Sequence, residues 1–200
     1  MKIYVATTNT GKLRDFAGAA GSEIQIVPIP GIAAIQAPEE DADTLEGNAR
    51  KKAEYYSRFL PGTLILADDS GLEVDALGGA PGVYSARYAA PGKSENSSDD
   101  ENNSRLLREL DAIPDSARTA RFVCVLAVAR DGQTLFSTRG EVEGVILREA
   151  RGGNGFGYDP LFYLPELKVT TAELTAEEKA RVSHRGRAFR KMLDQLARLQ

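Results

Sequence analysis

Leu64, Ile65, Leu66 and Ala67 form an apolar run that passes without a break into Asp68, Asp69, Ser70 and Gly71. Four apolar residues in succession fit a strand buried on both faces. Side chains alternate along a strand, so if the extension continues through the two aspartates their carboxylates face opposite ways. One then serves a site and the other the scaffold. In open α/β sheets ligands bind beyond the carboxyl ends of the strands, which is where this pair would stand. Asp-Asp-Ser-Gly also has the composition of a plain turn, and the four residues alone do not choose.

A chain of 200 residues with 42% hydrophobic content buries a substantial core, as one domain or as two lobes sharing a sheet. Its formal charge of -4 argues against an extended nucleic-acid footprint, so any anion must be held by a few local Lys and Arg residues. No apolar run reaches membrane-spanning length, and the first residues enter a strand pattern with no signal-type segment. The expectation is a cytoplasmic protein with no membrane and no nucleic-acid partner. The single Cys124, inside the apolar run of residues 122–128, fits a buried thiol, and one Cys with one His builds no zinc cluster.

Residues 2–7 read as a strand and residues 12–20 as a helix, with Gly21 placed to close it. Between them lie Thr8, Asn9, Thr10 and Gly11, followed by Lys12. A strand, a tight polar turn and a helix start carrying a lysine offer N–H groups, a positive dipole end and an ammonium, which suits a phosphate. The first glycine of a Walker A loop is missing, and Leu13 stands where its Ser or Thr would follow the lysine. An ordinary capped turn with a solvated lysine fits the same residues.

Residues 23–29 read as a second strand, ended by Pro28, Pro30 and Gly31, and the acidic residues Glu39, Glu40, Asp41 and Asp43 follow. Asp43 with Glu46 has capping-box spacing for a helix over residues 44–60, stopped by Pro61-Gly62. Leu45, Ala49, Ala53 and Tyr56 make its apolar stripe, with Asn48, Lys52 and Tyr55 on a neighbouring face. Lys52 is thus set either to point with Asn48 into a cleft or to snorkel on the surface.

Residues 71–77 suggest another extended segment, and Gly78, Gly79, Pro81 and Gly82 force tight turns. The polar residues 91–103 read as a mobile loop without assigned chemistry, leading into a short helix over residues 100–110. Residues 119–129 and 134–146 are strand-like, and the Asp131-Gly132 between them signals a hairpin. The glycine-rich residues 152–160 carry Phe156, Tyr158 and Asp159, a set able to lay a ring on a base and accept a base N–H, or merely to connect. Thr175 with Glu178 makes a capping box, and Ser183 an N-cap for a last helix whose Phe189, Met192, Leu193, Leu196 and Leu199 face the core. Lys179, His184 and Arg185 around the turn between these helices suggest recognition of ligand oxygens, against a histidine that is merely exposed or capping.

Taken in order, TTNTGK (residues 7–12), Glu39-Glu40, Asn48-Ala49 with Lys52-Ala53, ADDSGLEVD (residues 67–75), GAPGVYSARY (residues 79–88), FGYD (residues 156–159) and SHRG (residues 183–186) resemble the inosine/xanthosine triphosphate pyrophosphatase family over nearly the whole chain. The resemblance implies an α/β fold: an elongated mixed central β-sheet flanked by helices, residues 1–200 forming one domain of two lobes with a cleft, assembled as a homodimer. It implies Mg2+-dependent hydrolysis of purine nucleoside triphosphates, the deaminated ITP, dITP and XTP, to monophosphate and pyrophosphate, which cleanses the nucleotide pool. It places the triphosphate on Thr7, Thr8, Asn9, Thr10, Gly11, Lys12 and Lys52. It makes Asp69 catalytic, as metal ligand and proton acceptor, with Glu39 as the second metal ligand and Glu40 an open alternative. Ser70 becomes a substrate contact, and Phe156, Gly157, Tyr158, Asp159, Lys179, His184 and Arg185 contact the nucleotide, chiefly its base.

Many members of that family carry Glu-Asn-Ala on the second helix, whereas Gly47 precedes Asn48 here. The chemistry agrees with the rest. Mg2+ takes only one or two protein carboxylates and completes its shell with water and substrate phosphates. Lysines and the metal neutralise a departing pyrophosphate. Donors of His184 and Arg185 aimed at a 6-oxo group would be left unpaired by adenine, at a cost that rejects ATP. The competing expectations are a Maf-like pyrophosphatase acting on modified pyrimidine or methylated nucleotides, and a nucleotide-binding regulator without turnover.

Overall fold

The computed structural model describes residues 2–20, 24–92 and 95–198. β1 (Lys2–Val5) and β2 (Gln25–Pro28) run parallel, with Ile3 opposite Ile26, and α1 (Thr10–Ala20) supplies the crossover such a pair needs. α2 (Leu45–Ser57) precedes β3 (Ile65–Val74), which pairs parallel to β1 through Tyr4–Ile65 and Val5–Leu66. α3 (Asp99–Glu109) leads to β4 (Thr119–Arg130) and β5 (Gln133–Ile146). The antiparallel strands β6 (Phe162–Leu164) and β7 (Val169–Thr170) follow, then α4 (Ala176–Val182) and α5 (His184–Ala197). The seven strands lie in the order β2-β1-β3-β4-β5-β6-β7, a mixed sheet in an α/β fold.

The chain divides into two compact units. The first comprises Met1–Asp69, Cys124–Glu141 and Ala180–Gln200, the second Ser70–Val123 and Val142–Lys179. In the first, Phe16 of α1 and Ala188, Phe189, Met192 and Leu196 of α5 close over Ile3, Val5, Leu66, Cys124, Leu126 and Val128. The Phe16 and Phe189 rings lie 5.8 Å apart. Each buried Phe, Leu, Ile, Val or Met side chain among them contributes about 1.5–3 kcal/mol by leaving water. Cys124 is fully buried and burial pushes its thiol pKa up, so it is an unreactive core residue. In the second unit Arg118 is almost entirely buried and donates to the carbonyls of Leu110, Ile146 and Leu147, tying the end of α3 to the end of β5.

Several local expectations hold. The α2 stripe of Leu45, Ala49, Ala53 and Tyr56 is buried. The β4–β5 hairpin turns on Asp131 (φ 53°) and Gly132 (φ 81°), the paired left-handed residues of a type I′ turn. Others are corrected. β3 runs unbroken from Ile65 to Val74, so Asp68 to Gly71 is strand rather than turn and absorbs most of the separate segment expected at residues 71–77. α2 is capped by Thr44, whose Oγ1 accepts the Gly47 N–H, instead of by Asp43. Thr44 is the residue with extended dihedrals, and Glu46 turns to Arg50 and Ser137 rather than back to the cap. α2 also ends at Ser57, three residues before the expected end at residue 60. Part of the supposedly mobile stretch of residues 91–103 is helical, because Ser98 and Glu101 form a capping box that starts α3 at Asp99. Gly21, Glu23 and Leu199, invoked above as cap, strand start and core residue, lie outside the described residues, as do Lys93 and Ser94. No helix among the described residues is long and apolar enough to cross a membrane.

Candidate active site

The two neighbouring aspartates of β3 are the centre of the site. Strand alternation sends their carboxylates in opposite directions, and each meets different cations. Asp68 Oδ2 lies 2.9 Å from Lys12 Nζ and 3.8 Å from Arg185 Nε, and the Arg185 Nη1 also lies 3.2 Å from Asp15 Oδ2. Asp69 Oδ1 accepts from Lys52 Nζ at 3.2 Å, and the same ammonium donates to Glu40 Oε2 at 3.0 Å. Asp69 Oδ2 is buried with no hydrogen-bond partner among the described residues.

Local structure explains how the lysines arrive there. After β1 the chain makes a turn in which Thr7 Oγ1 accepts the Asn9 N–H and Asn9 Oδ1 accepts the Lys12 N–H at 3.0 Å. Asn9 therefore caps α1 and sets Lys12 in its first turn, on the side of the sheet that Asp68 faces. Thr8, Asn9 and Thr10 are exposed and Gly11 is buried. Lys52 and Asn48 are buried, one turn apart on α2. Asn48 Oδ1 accepts the Ala42 N–H at 3.0 Å, which holds the acidic segment against the helix and brings Glu40 to Lys52. Glu39 is exposed.

The electrostatics separate the two carboxyls. Burial raises the Asp68 pKa, but Lys12, Arg185 and Lys52 outweigh it, and the net shift is downward from the ordinary 3.8. Asp69 moves upward. Its burial dominates, Glu40 and Asp68 add to it, and Lys52 with Lys12 does not offset the sum. Burial alone would lower the Lys52 pKa, yet Asp69 and Glu40 hold it above its ordinary value, so it stays an ammonium. The arrangement is one fixed anion, one carboxyl poised to take a proton or a cation, and a committed positive charge between Asp69 and Glu40.

Ser183 Oγ accepts the Gly186 N–H and so caps α5, which begins with the buried His184 and Arg185. A side chain at Gly186 would run into the Ala180 carbonyl oxygen, so a glycine there sets the approach of α4 to α5. The Thr175–Glu178 capping box at the start of α4 forms as read from the sequence. Ser70 follows Asp69 in β3 and is half-buried.

Within the second unit, Asp159 is already committed. Its Oδ2 accepts from the Phe156 N–H at 2.8 Å and from Lys179 Nζ at 2.5 Å, and its Oδ1 from Thr171 Oγ1 at 2.9 Å. Those three contacts brace the loop that carries Asp159. Tyr158 is buried, with its hydroxyl donating to Ser85 O at 2.8 Å. Phe156 is half-buried, its ring centroid lies 5.2 Å from Lys179 Nζ, and Gly157 follows it with φ 65°. Sequence reading missed Asp68 as an ion-pair hub, Asp15 as its companion on Arg185, and the Asn48 amide as the clip on Ala42. Only the adjacency of Asp68 to Asp69 pointed toward the first.

No cluster of three or more His, Cys, Asp or Glu side chains with metal-cage geometry exists among the described residues. Two carboxylates on one lysine, one with an unclaimed oxygen, instead fit a hard cation that keeps water and substrate oxygens in its shell.

A model of the Ham1 family matches residues 3–195. The chain belongs to the Ham1 family. Among its relatives, the dITP/XTP pyrophosphatase of Acidobacterium capsulatum is 54% identical over 202 residues, spanning 98% of each chain. That of Desulforamulus reducens is 49% identical, spanning 100% of this chain and 97% of its own. The Ham1 protein of Staphylococcus aureus matches the structure with a TM-score of 0.83 at 39% identity over 100% of both chains. The nucleoside-triphosphatase / dITP/XTP pyrophosphatase of Mycobacterium abscessus gives 0.72 at 39% identity, over 96% of this chain and 99% of that one. The mixed sheet with its helices is therefore the Ham1 fold.

Proposed function

We propose that the protein is a nucleoside triphosphate pyrophosphohydrolase that converts the deaminated purine nucleotides dITP, ITP and XTP to monophosphate and pyrophosphate, removing them from the nucleotide pool. The observation that carries this reading is Asp69, a buried carboxyl with one oxygen on Lys52 and the other unclaimed, in a chain matched by the Ham1 family from residue 3 to residue 195.

The reaction adds water at the α-phosphorus and breaks its bond to the bridging oxygen, so pyrophosphate departs with the charge. Mg2+, held by Asp69 and Glu40, would supply part of the neutralisation of that charge when bound. Asp69, whose Oδ2 has no hydrogen-bond partner among the described residues, is the carboxylate that accepts the proton of the attacking water. Lys52, kept as an ammonium by Asp69 and Glu40, adds a fixed positive charge beside that proton acceptor. The α1 start, with Thr8, Asn9, Thr10 and Gly11, offers N–H groups to phosphate oxygens, and Lys12 adds a charge that it now shares with Asp68. Asp68 and Asp15 hold the Arg185 guanidinium, which with His184 presents donors for a 6-oxo group, and Phe156 presents its face to the purine. Ser70, next to Asp69, contacts substrate.

We further propose that the two units are lobes of one catalytic domain and that the enzyme works as a cytoplasmic homodimer. The sequence resemblance supports both, and light scattering with gel filtration tests the second. The activity is tested by incubating the protein and Mg2+ with dITP, ITP, XTP, dATP, dGTP and a set of methylated and modified pyrimidine triphosphates. Pyrophosphate from the first three is the expected product. Orthophosphate in its place, or preference for the modified pyrimidines, overturns the reading.

A further inference from the structure

α3 begins inside the polar stretch to which the sequence attached no chemistry, and its first five residues grip the Phe156-Gly157 loop. Asp99 Oδ2 accepts the Gly157 N–H at 2.6 Å, and Asn103 Nδ2 donates to the Gly157 carbonyl at 3.0 Å. Residues four apart share a helix face, so a single face of α3 takes both backbone groups of a single residue.

The helix that does this is itself pinned. Its start is fixed by the Ser98–Glu101 capping box. Asn102, 4% exposed, accepts the Ala89 N–H at 2.8 Å and donates to the Ala86 carbonyl at 3.2 Å. From the other side Asp159 and Lys179 hold Phe156, through its N–H and across its ring. Gly157, with its positive φ, is thus clamped between two sets of side chains, and the direction of the Phe156 ring depends on that clamp. Asn103 has a further property. The Gly157 contact fixes which way its amide points, and its Oδ1 is buried without a hydrogen-bond partner among the described residues.

We propose that Asp99 and Asn103 are positioning residues for base recognition: by fixing both backbone groups of Gly157 they hold the Phe156 face in the orientation that discriminates among purines. This rests on the reading above that the loop receives the base. A loop held at one end only would accept wrong bases by yielding, because discrimination between similar rings depends on donors and faces that do not move.

The test compares wild type with Asp99→Ala, Asp99→Asn and Asn103→Ala. It measures kcat and KM for dITP and dGTP, and amide hydrogen exchange in peptides covering residues 153–160. Both alanine variants are expected to raise KM for dITP about tenfold with kcat changed less than about threefold, to narrow the preference for dITP, and to speed exchange in the loop. Asp99→Asn keeps an oxygen that accepts the Gly157 N–H and stays near wild type. Alanine variants with unchanged KM, preference and exchange overturn the proposal. So does an equal loss of kcat on both nucleotides with a lower Tm and an unchanged preference, which marks a merely structural role. A wild-type protein idle on every purine triphosphate overturns the functional reading and this inference with it, whereas an active wild type with unaffected variants overturns this inference alone.

Discussion

Asp68 and Asp69, adjacent in β3, address different lysines: Asp68 Oδ2 lies 2.9 Å from Lys12 Nζ, and Asp69 Oδ1 lies 3.2 Å from Lys52 Nζ. Two like charges one residue apart are tolerable in a buried strand because the pleat separates them and each face supplies its own cation. The consequence is a division of labour between a carboxylate that stabilises the fold and one that is available for chemistry.

Asp68→Asn is expected to cost about 3 kcal/mol at pH 7, since it leaves Lys12 and Arg185 facing a buried neutral amide, and Tm should fall by about 6–12 °C. The pH dependence follows from the sign of the shift. The folded pKa of Asp68 lies below its unfolded value near 3.8, so its stabilisation is complete above that value and is lost as pH falls through the folded one. Thermal melts of wild type and variant should therefore differ fully at pH 7 and converge as pH falls below the ordinary carboxylate value of 3.8. A gap that stays constant over that range refutes the assignment.

Asp69→Asn should behave in the opposite way. Its amide cannot take a proton from water and is a poor cation ligand, so turnover of dITP should drop by about a hundredfold or more. Tm in metal-free buffer should change little, because burial disfavours the Asp69 anion and its second oxygen makes no hydrogen bond in the described structure. Activity assays paired with melts in chelator check both halves, and a large Tm loss would move Asp69 into the scaffold.

How much of this is legible in the residues depends on the range of the interaction. The α2 stripe, the Asp131-Gly132 turn, the Thr175–Glu178 box and the Ser183 cap are set by neighbours within about five positions, and each forms as its spacing dictates. The continuation of β3 through Asp68 and Asp69 is not local. Those aspartates are poor strand formers until Lys12, Lys52 and Arg185 arrive from elsewhere in the chain, so the residues fit a turn equally well. The choice of Thr44 over Asp43 as cap was also out of reach, both being good capping residues. Asp159 was legible as a loop carboxylate, but not as one already holding Phe156, Thr171 and Lys179.

The acidic residue that works with Asp69 is the clearest case, because residues 35–44 have no periodicity from which to count a facing side chain. Glu40 shares Lys52 with Asp69, whereas Glu39 is exposed. Glu40→Gln should raise the Mg2+ concentration needed for half-maximal activity by about tenfold, and Glu39→Gln should leave it unchanged. Metal titrations of dITP hydrolysis decide between them, and the reverse ranking would restore Glu39 as the ligand.

The start of α5 allows a graded test of whether His184 and Arg185 depend on helix geometry. Ser183 contributes one capping hydrogen bond, from the Gly186 N–H, so Ser183→Ala should cost about 1 kcal/mol and lower Tm by about 2–4 °C. Gly186→Ala leaves that bond available but places a methyl carbon against the Ala180 carbonyl, a backbone atom that yields only if α4 and α5 move apart. Overpacking of that kind costs about 1–3 kcal/mol and also displaces the two residues at the start of α5. Ser183→Ala should thus lose stability with base preference nearly intact, whereas Gly186→Ala should lose both, its dITP over dATP preference falling further than its Tm predicts. Equal preference in the two variants would mean that the donors of His184 and Arg185 are aimed independently of the α4–α5 contact.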